Sequence, residues 1–197
     1  FDGRRIRLLY RLLARDWSLE KSQGLSGFRT RQPDKLHQER SMMSGILGTG
    51  PSDARIMIVG NCYSDEDSRL CAPFQGAAGM ELSRMLQDAG IRRSECYLTN
   101  VINAVPGFRA LEGLIASTKK EITASHTELR GKFVLPQLVQ GYNRLMKEIE
   151  LVKPNIIVAL DTIPTWLLTG AWSVAKWRGS HLRLAYGPQP VPPGNGI

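Results

Sequence analysis

The chain has 197 residues, with 26 Lys and Arg against 18 Asp and Glu and a formal net charge of +8. This length predicts one domain with a core large enough to fold without disulfides, and three cysteines lacking a CxxC pair disfavour both a secreted disulfide framework and a compact zinc site. The positive charge favours a polyanionic partner, because basic surfaces release counterions from nucleic acid.

The N-terminal segment predicts a basic amphipathic helix over residues 1–16. Leucines recur at helical spacing, as Leu8 and Leu12 do, while Arg7 and Arg11 line another face. Arginine every few residues leaves no apolar run for a signal peptide or a membrane span. Residues 18–50 are polar and aperiodic, which predicts a long loop.

Three apolar runs predict buried strands, at residues 55–59, 96–101 and 155–160. Between the first two, an apolar stripe predicts a helix with Gly90 as its C-cap. A second amphipathic helix precedes the third strand and ends at Lys153-Pro154, because proline cannot continue a helix.

Strands that alternate with helices predict an α/β fold with three α/β/α layers around a central, mostly parallel sheet. Ligands of such sheets bind beyond the carboxyl ends of the strands. That rule indicates residues 60–67, 100–106 and 161–165.

The chain divides into three predicted parts. Residues 1–50 form a basic helix and polar loop packed on the core, and residues 51–187 form the α/β domain. Residues 188–197 form a Pro/Gly-rich tail.

Sequence blocks at these strand ends resemble a known family. V-G-N-C-Y-S at 59–64 and A-P-F-Q-G-A-A-G at 72–79 resemble the V-G-E-x-P-G and R-P-F-V-G-x-A-G segments of the iron-sulfur type uracil-DNA glycosylases, family four of that superfamily. Y-L-T-N-V at 97–101 is similar to the family's Y-I-T-N-V. V-K-P-N-I-I-V-A-L at 152–160 and A-K-W-R-G at 175–179 resemble two further blocks.

The resemblance implies a pocket for a uracil that has been extruded from the DNA stack. Phe74 occupies the position of the family's stacking phenylalanine, and Asn100 that of the asparagine that reads the base. Gly60 and Tyr63 belong to the implied substrate-binding loop. From the residues alone, Phe74 also fits an ordinary core position and Asn100 a turn cap.

The implied reaction is hydrolysis through an oxocarbenium-like sugar, in which a carboxylate or an amide orients water. Asn61 occupies the position of the family's loop glutamate and can hold water without supplying charge. Asp65 is the carboxylate predicted to take over the orientation of water. The alternative for the Asp65–Asp67 segment is a solvated acidic turn.

The chain departs from the family in two respects. The C-terminal block that carries the family's histidine is absent after the predicted strand at 181–185, so His181 is predicted to be a surface or DNA-contacting residue. His126, the other histidine after Asn100, has no motif support. The positions of the cluster ligands fall near Glu20 and Gln23, at Ala104 and near Val134, so neither an iron-sulfur cluster nor any other metal or cofactor is expected.

Three hypotheses remain open: an active glycosylase, a non-catalytic DNA-binding module, and a protein-interaction scaffold that uses the first helix and residues 113–131. The second fits the glycosylase-like domain fused to some bacteriophage DNA polymerases, with a polymerase or another replication protein as partner. No membrane partner is expected, and the cytoplasm of a bacterium or a phage-infected cell is the expected location. The residues predicted to contact DNA are Lys176, Arg178, Arg4, Arg7 and Arg11.

Overall fold

A computed structural model describes residues 48–104 and 111–185 of the chain. The predicted N-terminal helix with Arg4, Arg7 and Arg11, the predicted loop up to residue 47 and the tail from residue 188 lie outside the described residues. In chain order the elements are β1 (Ile56–Cys62), α1 (Asp65–Leu70), α2 (Ala77–Asp88), β2 (Cys96–Ile102), β3 (Thr127–Leu129), β4 (Lys132–Val134), α3 (Pro136–Val152), β5 (Ile156–Ala159), α4 (Thr162–Thr169) and α5 (Val174–Trp177).

The central sheet has the order β2-β1-β5, and both strand pairs are parallel. Its three strands are those that the apolar runs predict, so the predicted α/β fold with a parallel sheet is confirmed. Gly60 of β1 pairs in register with Asn100 of β2, and Val59 pairs with Ala159 of β5. This register brings the carboxyl ends of all three strands to one edge of the sheet.

Helices cover both faces of the sheet, because successive residues of a buried strand point to opposite sides. Ile56 and Ile58 pack in a cluster with the apolar stripe of α2. Met57 and Val59 pack in the other cluster, with α3 and α4. Each fully buried side chain of this kind contributes about 2 kcal/mol to folding.

The two predicted helices are confirmed. The predicted C-cap of the first is wrong by one residue: Ala89 is the C-cap of α2, and Gly90 follows it with φ +67°, a conformation that glycine adopts without strain. Pro136 begins α3, where its missing N–H costs no hydrogen bond, and Lys153 ends it with φ +50°. The backbone N–H of Lys153 donates to the carbonyl of Ile149 at 2.9 Å.

The structure differs from the sequence prediction in three segments. Asp65–Asp67, expected either in the site or in a solvated turn, begins the helix α1, because Ser64 and Asp67 form a reciprocal capping box. The polar segment before α3 contains the antiparallel hairpin of β3 and β4. The predicted strand at 181–185 is wrong: this segment joins no sheet, and the N–H of Ala185 donates to the carbonyl of Leu168 in α4.

Within residues 48–104 and 111–185, no helix combines the length and the apolar character needed to cross a bilayer.

Candidate functional site

A cleft of about 1050 Å³ runs along the edge strand β5 and reaches the carboxyl ends of the three sheet strands. Its walls include Gly60 and Asn61 from β1, Asn100 from β2 and Asp161 after β5, together with Phe74. We call this space the cleft. It lies where the parallel topology predicts a ligand site.

Asn100 and Phe74 meet over Gly60. A Cβ atom on Gly60 would lie 2.3 Å from Oδ1 of Asn100 and 2.7 Å from Cζ of Phe74. The missing side chain is what allows an amide and an aromatic ring to flank the same point of the cleft wall. We call this part of the cleft the base pocket.

The buried side chain of Asn100 has a hydrogen-bond donor that is left unpaired. Asn100 is 2% exposed, and none of the described residues accepts a hydrogen bond from its Nδ2. A buried donor left unpaired costs about 1–3 kcal/mol, which a ligand acceptor would recover. The amide therefore marks a polar contact point in the base pocket.

A buried ion pair fixes the backbone around Asn100. Arg144 of α3 pairs with Glu148 one turn later, and the two side chains are 11% and 1% exposed. Arg144 also donates to the carbonyls of Asn100 and Val101, and to Oγ1 of Thr99. The end of β2 is thus tied to α3 by charge-assisted bonds, which are the stronger kind.

Phe74 is held in an unusual backbone conformation. Its φ of +58° is uncommon for a residue other than glycine, and surrounding groups have to maintain it. Arg93 donates to the carbonyls of Phe74 at 2.8 Å and of Gly79 at 3.0 Å. Burial lowers the pKa of the Arg93 guanidinium, an effect that the nearby Asp67 carboxylate opposes.

Asp67 joins the two segments that border the base pocket. It is 5% exposed, and its carboxylate accepts from the N–H of Ser64 at 3.1 Å and from the N–H of Gln75 at 2.5 Å. One oxygen thus holds the loop after β1 and the other holds the turn that carries Phe74. Both oxygens are engaged by backbone, so Asp67 supports the site rather than offering a reactive group.

Asn61 lies in the cleft wall beside Gly60 and contacts a carboxylate. Its Nδ2 donates to Oδ2 of Asp161 at 2.5 Å, while its own Oδ1 is buried and has no hydrogen-bond partner within residues 48–104 and 111–185. The contact follows from the strand register, since residues 59 and 159 are paired and the chains run on in parallel.

Tyr63 and Asp65 lie away from the cleft wall. Tyr63 is 2% exposed, and burial raises its pKa to about 12. In the part of the chain that the structure describes, its hydroxyl has no hydrogen-bond partner. Asp65 is exposed in the first turn of α1. Neither residue is among those that line the cleft.

The turn at residues 174–179 forms one rim of the cleft. Arg178 and His181 line the cleft, and both are exposed. Lys176 is exposed, with its Nζ 5.1 Å from the centroid of the Trp177 ring. His126 is on the surface, where its Nδ1 accepts from the N–H of Thr123 at 3.1 Å.

The side chains of this chain do not fit a four-thiolate cluster. The sequence has three cysteines, of which Cys96 is buried, Cys71 is exposed and Cys62 is intermediate. Among residues 48–104 and 111–185, no group of three or more His, Cys, Asp or Glu side chains is arranged to hold a metal ion.

Sequence reasoning missed the residues that support the site. Arg144 and Glu148 carry one signal, since they are two charges at i,i+4 spacing on a helix that is otherwise patterned for burial. Asp161 lies in the segment 161–165 that the strand-end rule indicates, but no motif singles it out as a site residue. No sequence signal marks Arg93, which acts on a segment nearly twenty residues away.

Comparison with known proteins shows which proteins this chain is similar to in sequence. The family model described as "Uracil DNA glycosylase superfamily" matches residues 47–191. A type-4 uracil-DNA glycosylase of Thermotoga maritima is 30% identical over 159 residues, which cover 80% of this chain and 71% of that protein.

Archaeal relatives show a similar level of identity. The type-4 uracil-DNA glycosylases of Archaeoglobus fulgidus and Pyrobaculum aerophilum are 29% and 28% identical, over 64% and 66% of this chain. The chain spans about half the length of these two relatives, 51% and 56% respectively.

Proposed function

Since this chain belongs to the uracil-DNA glycosylase superfamily, we propose that its cleft recognises uracil in DNA and releases it by hydrolysis of the N-glycosidic bond. DNA is the substrate polymer, and uracil is the base removed from it.

The observation that carries this proposal is the pairing of Asn100 with Phe74 over Gly60. Uracil presents a carbonyl acceptor next to an N–H donor on its Watson–Crick edge, and an amide offers the complementary donor and acceptor. A base over Gly60 would meet the Asn100 amide with its edge and the Phe74 ring with its face. Enzymes that extrude a base read it by this combination of hydrogen bonds and stacking.

The rim of the cleft supplies candidates for contact with the DNA backbone. Arg178 lines the cleft and Lys176 is exposed on the same turn, so we expect both to bind phosphate oxygens of the DNA. Arg4, Arg7 and Arg11 stay predicted DNA contacts from the sequence. A polymerase or another replication protein as partner stays a prediction as well.

The first experiment measures uracil release directly. The purified chain, in large excess, is incubated with single-stranded and duplex oligonucleotides that carry one uracil, and abasic sites are then cleaved with alkali. We expect cleavage that depends on uracil and falls at least 100-fold in Asn100→Ala, because the buried amide would be the group that reads the base.

Gln87→Ala is the matched control, since it removes an exposed amide from the surface of α2. It should cleave like the unmodified chain. Intact substrate together with specific binding of uracil-containing DNA would contradict excision and favour a non-catalytic recognition module. Absence of both binding and cleavage would contradict the whole proposal.

A second experiment separates DNA contact from protein docking. Affinity for single-stranded DNA is measured over a range of salt concentrations for Lys176→Ala/Arg178→Ala and for the control Lys119→Ala/Lys120→Ala. Loss of two phosphate contacts should make the slope of log affinity against log salt shallower by about 1.4. An unchanged slope in the rim variant, or negligible DNA affinity at low salt, would contradict the proposed DNA contacts.

A further inference from the structure

The cleft contains a carboxylate that sequence comparison does not single out. Asp161 comes two residues after the end of β5, as the N-cap of α4, and lines the cleft. Its Oδ1 accepts from the N–H of Thr162 at 2.6 Å, and its Oδ2 accepts from Nδ2 of Asn61 at 2.5 Å. The carboxylate is therefore fixed on two sides, and each oxygen keeps a further lone pair that can accept from water.

Asp161 occupies a backbone conformation that proteins rarely give to an aspartate. Its φ is +89° and its ψ is 174°, a region used almost only by glycine. Holding another residue there costs about 1–3 kcal/mol, and such strain persists where the surrounding structure maintains it. Here the bonds to Thr162 and Asn61 hold the side chain toward the cleft.

The other carboxylates at the cleft are committed elsewhere. Asp67 uses both oxygens to hold the backbone of Ser64 and Gln75. Glu66 pairs with Arg69 at 3.3 Å on the exposed face of α1. Among the described residues that line the cleft, Asp161 is the carboxylate that accepts a hydrogen bond from Asn61, the residue next to Gly60 of the base pocket.

The sheet order sets the distance between Asp161 and the base pocket. Asn100 lies near the end of β2, Asn61 lies near the end of β1 and Asp161 follows β5, so the three stand in a row across the strand ends. Two strand spacings place Asp161 about 10 Å from Asn100. That separation leaves room for a pyrimidine bound to the unpaired Nδ2 of Asn100, its sugar, and one water molecule beside Asp161.

We propose that Asp161 is the catalytic carboxylate of this site, with Asn61 holding it and the water in place. This inference rests on the proposed function and names the group that performs the hydrolysis. Asn61 donates to Asp161 through Nδ2, and by fixing this carboxylate it also fixes the water that donates to it.

The reaction breaks one bond and forms one. The C1′–N1 bond breaks, and its electron pair stays on N1 of the departing uracil. The water oxygen bonds to C1′ while one water proton passes to the Asp161 carboxylate, whose negative charge stabilises the cationic sugar before the bond forms. Asp161 then releases the proton to solvent, and the uracil anion takes one up, which leaves uracil and an abasic site.

The test compares rate with affinity. Single-turnover uracil release is measured for the unmodified chain, Asp161→Asn and Asp161→Gly. Affinity is measured with an oligonucleotide that carries 2′-fluoro-2′-deoxyuridine, whose fluorine resists cleavage of the glycosidic bond. We expect Asp161→Asn to lower the rate at least 100-fold and to change the affinity less than threefold, because a general base supplies about 10²–10⁴-fold.

The Asp161→Gly variant tests whether a loss of rate comes from the lost carboxylate or from a disturbed structure. Glycine adopts the positive φ without strain and costs only a few tenths of a kcal/mol as an N-cap, so this variant should melt at least as high as Asp161→Asn. It should be as inactive as Asp161→Asn. A glycine variant that keeps the full rate overturns the proposal.

An exchange of the two residues supplies a positive test. In Asn61→Asp/Asp161→Asn the hydrogen bond is kept with its direction reversed, and the carboxylate moves by about the length of that bond, 2.5 Å. We expect the exchange to be at least tenfold faster than Asp161→Asn alone. If the exchange is no faster than Asp161→Asn alone, the assignment of the negative charge to this point of the cleft is overturned.

The outcomes also separate this inference from the proposed function. If the unmodified chain releases uracil and Asp161→Asn does so at the same rate, the inference fails and the function stands. If the unmodified chain neither releases uracil nor prefers the fluorinated uracil oligonucleotide to a thymine one, the proposed function itself fails.

Discussion

The guanidinium of Arg93 donates from Nη2 to the backbone carbonyl of Phe74 at 2.8 Å, across nearly twenty residues of chain. The same side chain reaches the carbonyl of Gly79, whose position close to the Phe74 backbone leaves no room for a Cβ atom. The aromatic wall of the base pocket thus depends on a residue that does not line the cleft.

Arg93→Met should weaken the binding of uracil-containing DNA by removing this support. Lost hydrogen bonds from a charged donor cost about 1.5–3 kcal/mol, so we expect affinity for the fluorinated uracil oligonucleotide to fall at least tenfold. Arg92→Met, at the exposed neighbouring position, is the control and should bind normally. Equal affinity of the two variants would show that Phe74 holds its conformation without Arg93.

Gly60→Ala should close the base pocket, because the new Cβ would lie 2.3 Å from Oδ1 of Asn100 and 2.7 Å from the Phe74 ring. We expect at least a tenfold loss of affinity for the same oligonucleotide, with the fold retained in circular dichroism. Gly131→Ala is the control: its φ of +75° strains alanine, but its Cβ would meet nothing within 4 Å. The Gly131→Ala variant should lose stability and keep its affinity. Normal affinity in Gly60→Ala together with a loss of affinity in Gly131→Ala would contradict the assigned pocket.

Arg144→Met should destabilise the fold because it leaves Glu148 buried without its counter-charge. Breaking a buried pair in this way costs about 3–5 kcal/mol. Arg84→Met removes exposed i,i+3 and i,i+4 partners from α2 and should lower the free energy of unfolding far less than Arg144→Met, because water screens exposed ion pairs. Urea unfolding measures both values, and similar losses would contradict the buried role of Arg144.

Cys96 should make stability fall as the pH rises above 9. Burial raises the pKa of its thiol from 9.0 to about 11, so the unfolded chain loses this proton first. The contribution of the neutral thiol is therefore complete below pH 9 and is lost as the pH passes 11, with about 1.4 kcal/mol gone by pH 10.

Comparison with Cys96→Ala isolates that contribution. The difference in unfolding free energy between the unmodified chain and the variant, measured in urea under reducing conditions, should shrink by this amount between pH 8 and pH 10. A constant difference would contradict the assigned shift.

The sequence determined the architecture and the place of the cleft. Continuous apolar runs predict the three buried strands, and the helices between them predict parallel pairing, since both signals are local and repeat along the chain. Once the strands are parallel, their carboxyl ends must share one edge. Gly60, Asn61 and Asn100 therefore meet there, as the strand-end rule predicts.

Only the tertiary structure decided which side chains act together. The contacts of Asn61 with Asp161, of Arg93 with Phe74 and of Arg144 with Asn100 all join segments distant in sequence. Such contacts depend on strand register and helix packing, which leave no periodic signal in the chain. For the same reason, the sequence directed attention to Asp65, whereas the fold turns Asp65 to the surface and places Asp161 in the cleft wall.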